Sequence, residues 1–221
     1  MATQTEKAHR LKALHAREGA FVIPNPWDAG SARFLAALGF EALATTSAGF
    51  AFSLGRLDGT VTLDEKIEHC RVLCAATDLP VSADLENCFA NDPKTAAATI
   101  VLAAEAGVVG GSIEDYSGSG IYDFALAVER VHAAVEASRS LGFPFALTAR
   151  AENLLRGRLD LDDTIRRLLA LLAAGADVLY APGLKTLDQV RTVPGAVGKP
   201  VNVLAAGLPG NSEYWDRQTV Y

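Results

Sequence analysis

The sequence predicts an α/β fold of parallel strands alternating with helices, specifically a (β/α)8 barrel, on three observations. Short apolar runs recur along the chain, each followed by a turn and a longer stretch of helical period. Helical stretches end repeatedly at glycine before the next apolar run, as in Ala36-Ala37-Leu38-Gly39-Phe40, Ala104-Glu105-Ala106-Gly107 and Ala173-Ala174-Gly175-Ala176-Asp177. The third observation separates a barrel from a doubly wound sheet. After the first apolar run the chain reads Pro24-Asn-Pro-Trp-Asp-Ala-Gly30, without a G-x-G-x-x-G turn, and no P-loop occurs elsewhere.

In chain order, the polar opening MATQTEKAHRLKALHAREG has helical period and reads as an N-terminal helix. Apolar residues 21–24 form the first strand candidate, followed by a helix at about 28–38. Residues 42–46 give the second strand and 63–77 its helix; 81–84 give the third and 92–106 the next helix. Strand 109–114 precedes helix 121–141, strand 145–150 precedes helix 160–174, strand 178–181 precedes helix 185–193, and strand 201–204 comes last. Asp, Ser or Thr stands ahead of several helical stretches, where its side chain can accept from the first free N–H groups. The seven strand candidates place one barrel domain with its N-terminal helix over residues 1–207 and leave 208–221 as a tail.

Composition narrows the function. With 221 residues, half of them hydrophobic, the chain can bury one substantial core. A net charge of -6 and the absence of a Lys or Arg run exclude a nucleic-acid or anionic-membrane surface and favour a small-molecule partner. No apolar signal core or membrane-length apolar segment is present, so a soluble, cytoplasmic protein is expected. Cys70, Cys74 and Cys88 make neither a disulfide nor a zinc framework. Cys70 and Cys74 read as small buried hydrophobes on one helix.

In a parallel barrel, side chains at the carboxyl ends of the strands converge on one mouth, so polar residues there are the catalytic candidates. The strand ends carry Thr45-Thr-Ser-Ala-Gly-Phe50, Asp84-Leu-Glu86, Ile113-Glu-Asp115, Thr148-Ala-Arg150 and Val201-Asn-Val203. Residues i and i+2 of an extended segment point the same way, so Asp84 and Glu86 are expected to face one point, joined by Glu114 from the adjacent strand. Three gathered carboxylates repel one another and lose solvation unless a hard divalent cation binds them. Magnesium keeps several waters, so Asp84 is the direct ligand, with Glu86 and Glu114 acting through water; manganese is the alternative. Turn capping, or a Glu114–Arg150 ion pair at the mouth, would account for the same residues without a metal. Arg150 otherwise offers a planar fork for a substrate carboxylate, and the small-residue turn at Ser47 and Gly49 can turn N–H groups toward an anion.

These motifs, in this order, resemble the isocitrate lyase and phosphoenolpyruvate mutase superfamily over about residues 8–207: Pro24-Asn-Pro-Trp-Asp-Ala-Gly-Ser-Ala-Arg33, Thr45-Thr-Ser-Ala-Gly49, Ser82-Ala-Asp-Leu-Glu86, Ser112-Ile-Glu-Asp115, Thr148-Ala-Arg150 and Asn202-Val-Leu204. The resemblance implies a magnesium-dependent (β/α)8 barrel that acts on short α-keto or α-hydroxy carboxylates through an enolate, as a homodimer or homotetramer. It makes Asp84 the main metal ligand with Glu86 and Glu114 in its water shell. It gives the substrate carboxylate to Ser47, the Ala48 and Gly49 backbone and Arg150, places Asp58 on a loop facing the site, and sets Trp27 and Asn202 at the pocket border.

Departures from the family pattern choose among reactions. Where its lyases carry a Lys-Lys-Cys-Gly-His-like loop after the fourth strand, this chain reads Tyr116-Ser-Gly-Ser-Gly-Ile-Tyr122, without Cys, Lys or His. His9, His15, His69 and His132 all fall in helical stretches and are assigned surface roles. Cys88 stands where relatives usually have glycine and is read as tightening its loop. Retro-aldol cleavage needs both a base and an acid, whereas decarboxylation needs only a late proton, which water or Tyr116 can give. Decarboxylation of an oxaloacetate-like 3-carboxy-2-keto acid is therefore the expected reaction. The alternatives are a carbon-carbon lyase of the 2-methylisocitrate or dimethylmalate type, phosphonate mutase or hydrolase chemistry, and a truncated relative that binds a keto acid without turning it over. This last reading arises because Leu208 to Tyr221 match neither the family's eighth strand nor its exchanged C-terminal helix.

Overall fold

The computed structural model describes residues 2–204. Its elements are α1 (Gln4–Ala16), α2 (Ala29–Ala37), β1 (Leu43–Ala44), α3 (Ser47–Ser53), α4 (Leu63–Ala76), β2 (Val81–Asp84), α5 (Pro93–Glu105), β3 (Gly110–Glu114), α6 (Phe124–Arg139), β4 (Ala146–Arg150), α7 (Leu161–Ala173), β5 (Val178–Tyr180), α8 (Leu187–Val197) and β6 (Val201–Asn202). Local chemistry sets the helix starts. Thr3, Asp28 and Thr62 form capping boxes with Glu6, Ser31 and Glu65, and Asp92 caps α5 ahead of Pro93.

The six strands form one parallel sheet in the order β1-β2-β3-β4-β5-β6, each step crossing through at least one helix. Such an order curls the sheet into a half-barrel, and with eight helices among the described residues this is an incomplete (β/α)8 fold. Alternation along the strands separates two environments. Val81, Ala83, Ile113, Leu147, Ala149 and Leu179 face outward into a core shared with Ile100, Val131, Leu168 and Val190 of the helices. Ser82, Asp84, Ser112, Thr148, Arg150 and Tyr180 face inward onto a cavity of about 980 Å³. Ala8, Leu11 and Leu14 of α1 pack on Ala42, Val109 and Ala146, closing the amino-terminal end of the sheet.

Two expected elements differ. Residues 21–24 run beside β1 but form no strand: Ala44 donates its N–H to Pro24 O at 3.1 Å, and the Asn25 side chain donates to Ala44 O at 3.0 Å. Pro24 and Pro26 carry no N–H, so a ladder cannot continue along this segment. The turn expected after the second strand is α3, because the Thr46 side chain accepts from Gly49 N–H and starts a helix there. β1 and β6 are also shorter than the expected strands 42–46 and 201–204, and the tail 208–221 lies outside the described residues. No helix among the described residues is long and apolar enough to cross a membrane.

Candidate functional site

Strand register builds the site. Glu114 on β3 lies opposite Arg150 on β4, Arg150 opposite Tyr180 on β5, and Tyr180 opposite Asn202 on β6, a row of polar side chains at one level of the sheet. One step away, Asp84 of β2 pairs with Ser112. The Arg150 guanidinium occupies the centre of this arrangement. Nη1 donates to Asp84 Oδ1 at 3.0 Å, Nη2 stands 3.3 Å from Glu114 Oε2, and Nε and Nη2 both donate to Glu152 Oε1 at 3.0 and 2.7 Å. Its plane lies over the Tyr180 ring, 4.9 Å from the centroid.

The charges are unequal in their surroundings. Burial pushes the Asp84 carboxyl up, but Arg150, Lys66 and the Ser47 and Glu86 N–H groups outweigh it and hold the pKa below the usual range. Glu86 is pushed up to about 7 by burial and by Asp84, with Lys66 and Arg150 opposing. Glu114 rises to about 8 through burial, helped by Glu152 and Asp84 and opposed by Arg150. Arg150 is held firmly protonated, because Asp84, Glu152 and Glu114 overcome its own desolvation.

Glu86 reaches this region differently from the alternation argument. Strand β2 ends at Asp84, and Glu86 takes φ 53° in a turn whose Cys88 and Phe89 also lie at positive φ, 57° and 55°. Cys88 thus occupies a conformation that glycine prefers, while burial raises its thiol to about 12 and makes it a poor nucleophile.

The other expected residues divide. Ser47, Ala48, Asp58 and Asn202 line the cavity with Asp84 and Arg150. The Ser47 N–H donates to Asp84 Oδ2 at 3.0 Å and the Gly49 N–H to Thr46 Oγ1 at 3.2 Å, so both are engaged within the protein. Trp27 packs edge-on against Phe52, and Tyr116 donates its hydroxyl to Gly118 O with its ring under Arg156; neither lines the cavity. The loop after β3 closes on itself through a Tyr116–Ile121 bridge and the Ser117 hydroxyl, which donates to Gly120 O.

Among the described residues, no three His, Cys, Asp or Glu side chains form a ready-made metal cage. The donor set nevertheless fits a hydrated divalent cation. It is all oxygen, Glu86 Oε1 is buried without a hydrogen-bond partner, and burial raises the carboxyls of both Glu86 and Glu114, which a divalent cation would offset.

The family model for phosphoenolpyruvate phosphomutase matches residues 11–215 of the chain. The chain belongs to the phosphoenolpyruvate phosphomutase family. A solved Burkholderia cenocepacia protein described as a lyase/mutase is 60% identical, covering 90% of this chain and 73% of its own, with a TM-score of 0.90. The oxaloacetate decarboxylase of Paraburkholderia xenovorans is 30% identical over 93% of this chain and 70% of its own length. The structure of 2,3-dimethylmalate lyase, from the PEP mutase/isocitrate lyase superfamily, aligns with all of this chain and 77% of its own at 27% identity, with a TM-score of 0.87. This phosphoenolpyruvate phosphomutase family chain therefore shares a superfamily with lyases and mutases.

Sequence reasoning passed over Glu152 and Lys66 beside the site and misplaced His69 on the surface. Glu152 is fully buried against Arg150, and the period of two could have found it, since it follows Arg150 by two positions. Lys66 is fully buried on α4 with no hydrogen-bond partner for Nζ, yet it lies in Leu63-Asp-Glu-Lys-Ile-Glu-His69, which reads as a solvated helix face. His69 was expected at the surface. It is buried instead, sharing a hydrogen bond through Nε2 with Trp27 O at 2.9 Å and stacking on Phe50 at 3.8 Å. Burial lowers its pKa to about 4, so the ring is neutral and Nε2 donates.

Proposed function

We propose that the protein is a magnesium-dependent decarboxylase of a short 3-carboxy-2-keto acid of the oxaloacetate type. The observation that carries this reading is the closed loop after β3: it presents no Cys, Lys or His, and the Tyr116 hydroxyl is committed to Gly118 O. A reaction needing a positioned base and acid there finds neither, whereas decarboxylation needs only a late proton. Tyr116 is accordingly not the donor, and water admitted to the cavity takes that role.

Asp84 is the residue to hold magnesium directly, with Glu86 and Glu114 contributing through water. Bound there, magnesium would supply a Lewis acid that polarises the 2-keto oxygen. Arg150 orients a substrate carboxylate, and Ser47, Asp58 and Asn202 shape the cavity around it. As the carbon-carbon bond breaks, carbon dioxide leaves and the electron pair stays on the product as an enolate. A proton from water then completes the keto acid. The fixed positive charge of Arg150 favours the negative charge that moves toward the keto oxygen.

The test supplies magnesium and oxaloacetate, or magnesium and 2-methylisocitrate, and follows pyruvate against enzyme-free controls. Pyruvate formation from oxaloacetate above background, lost in Asp84→Ala together with magnesium binding by calorimetry, supports the proposal. Pyruvate from 2-methylisocitrate alone would replace the decarboxylase with a lyase, and unchanged magnesium binding in Asp84→Ala would remove the metal assignment.

A further inference from the structure

The turn after β2 places Glu86, Cys88 and Phe89, three non-glycine residues, at φ 53°, 57° and 55°. Each pays a steric cost for that conformation, so the surroundings must hold it. Arg130 of α6 supplies the hold. It is 1% exposed, Nη2 donates to Asn87 O at 2.5 Å, and Nη1 donates to Asn91 O at 2.7 Å and also to Ala90 O. Its guanidinium lies over the Tyr122 ring, 4.3 Å from the centroid. Tyr122 ties down the same turn, donating its hydroxyl to Asn91 Oδ1 at 2.5 Å and accepting from Asn87 Nδ2 at 3.1 Å. The Thr99 hydroxyl donates to Cys88 O at 2.9 Å.

Arg130 makes no ion pair among the described residues; its hydrogen bonds go to three backbone carbonyls. Burying a guanidinium without a carboxylate is costly, and here the charge fixes a backbone rather than neutralising an acid. The beneficiary is Glu86. Its Oε1 is buried without a hydrogen-bond partner, so backbone geometry aims the carboxylate. The same backbone reaches Glu114, whose N–H donates to Glu86 O at 3.0 Å.

We propose that Arg130 is a positioning residue that latches the 86–91 turn in its left-handed conformation and so aims Glu86 and Glu114 at the cation site. The latch is a matter of this chain's backbone; its consequence for magnesium rests on the reading in the preceding subsection.

The experiment compares wild type with Arg130→Lys, Arg130→Met and Arg130→Met/Cys88→Gly by hydrogen exchange, magnesium calorimetry and steady-state kinetics. The amides followed are those of Cys88, which donates to Leu85 O at 2.7 Å, and Glu114. Arg130→Met is expected to exchange faster at both amides and to bind magnesium about 10-fold to 100-fold more weakly, the usual range for loss of a group that orients a metal ligand. It should lower kcat more than it raises KM. Arg130→Lys keeps the charge on a single donor nitrogen that cannot span all three carbonyls, and falls between wild type and Arg130→Met. Glycine carries no penalty at positive φ, so Cys88→Gly should recover magnesium affinity in the Arg130→Met background while lowering Tm through lost core packing, a combination that a purely structural role does not produce. Unchanged exchange at Cys88 and Glu114 in Arg130→Met, or in Arg130→Lys where the Met variant fails to fold, would overturn the latch. Faster exchange with unchanged magnesium affinity and kcat would overturn the positioning role. If wild type neither binds magnesium nor turns over a keto acid, the functional reading fails and the exchange result alone decides the latch.

Discussion

Arg150 has one positive charge facing Asp84, Glu114 and Glu152, and the geometry assigns these partners different work. Glu152, fully buried, accepts from Nε and Nη2 and thereby fixes the guanidinium plane. The other edge of the fork points to Asp84 and Glu114. Glu152→Gln keeps the shape and an acceptor but removes the charge, so it should destabilise by about 1–3 kcal/mol and raise KM for the keto acid more than it lowers kcat. Calorimetric melting and steady-state kinetics check both halves. At this scale much of the site was legible: Asp84 and Arg150 announce themselves as charged residues ending apolar strands. Lys66 could not be found that way. Its neighbours in sequence are charged, and only the packing of α4 beneath Phe50, with Nζ 5.7 Å from the ring centroid, takes its amine out of water.

Helices and strands show why some elements were readable and others were not. Helices with a capping residue ahead and a glycine behind, such as α5 and α7, lie where their end signals put them, because those signals act locally. The first strand failed because its pairing depended on N–H groups that Pro24 and Pro26 lack. α3 was missed because Thr45 to Gly49 carries little periodicity, and its helical form is set by the Thr46 cap and by packing on Trp27. Gly49 makes that packing possible. A Cβ there would stand 2.4 Å from Trp27 Nε1 and 2.6 Å from Thr46 Cγ2. Gly49→Ala should therefore cost about 1–3 kcal/mol by overpacking. Because the Ser47 N–H of the same helix holds Asp84, the variant should also bind magnesium more weakly, read by calorimetry beside the melting curve.

For the whole molecule, the seven expected strands reduce to six, with residues 21–24 beside β1 and β6 at the other edge of the described sheet. Fold class was legible because the repeat of strand, helix and glycine is periodic; closure was not, because it depends on pairing between distant segments. Acidic charge gathers at the carboxyl ends of β2 and β3, and that charge links folding to pH. Glu114 faces Arg150, Glu152, Asp84 and Arg156, while Glu86 faces Asp84, Lys66, Asp58 and Arg150. Without a cation, folding raises these carboxyls from 4.5 to about 8 and about 7, so the folded state binds more protons than the unfolded state through that window. Their contribution to stability is complete below the unfolded value and is lost as pH rises toward 8. The cation-free protein should accordingly melt at a lower temperature at pH 8.5 than at pH 6. Magnesium binds the ionised carboxylates, so its stabilisation runs in the opposite sense and its Tm shift should grow across the same interval. Scanning calorimetry at both pH values, with chelator and with saturating magnesium, measures the two slopes. A magnesium shift that is equal at both would mean that the cation binds away from Glu86 and Glu114.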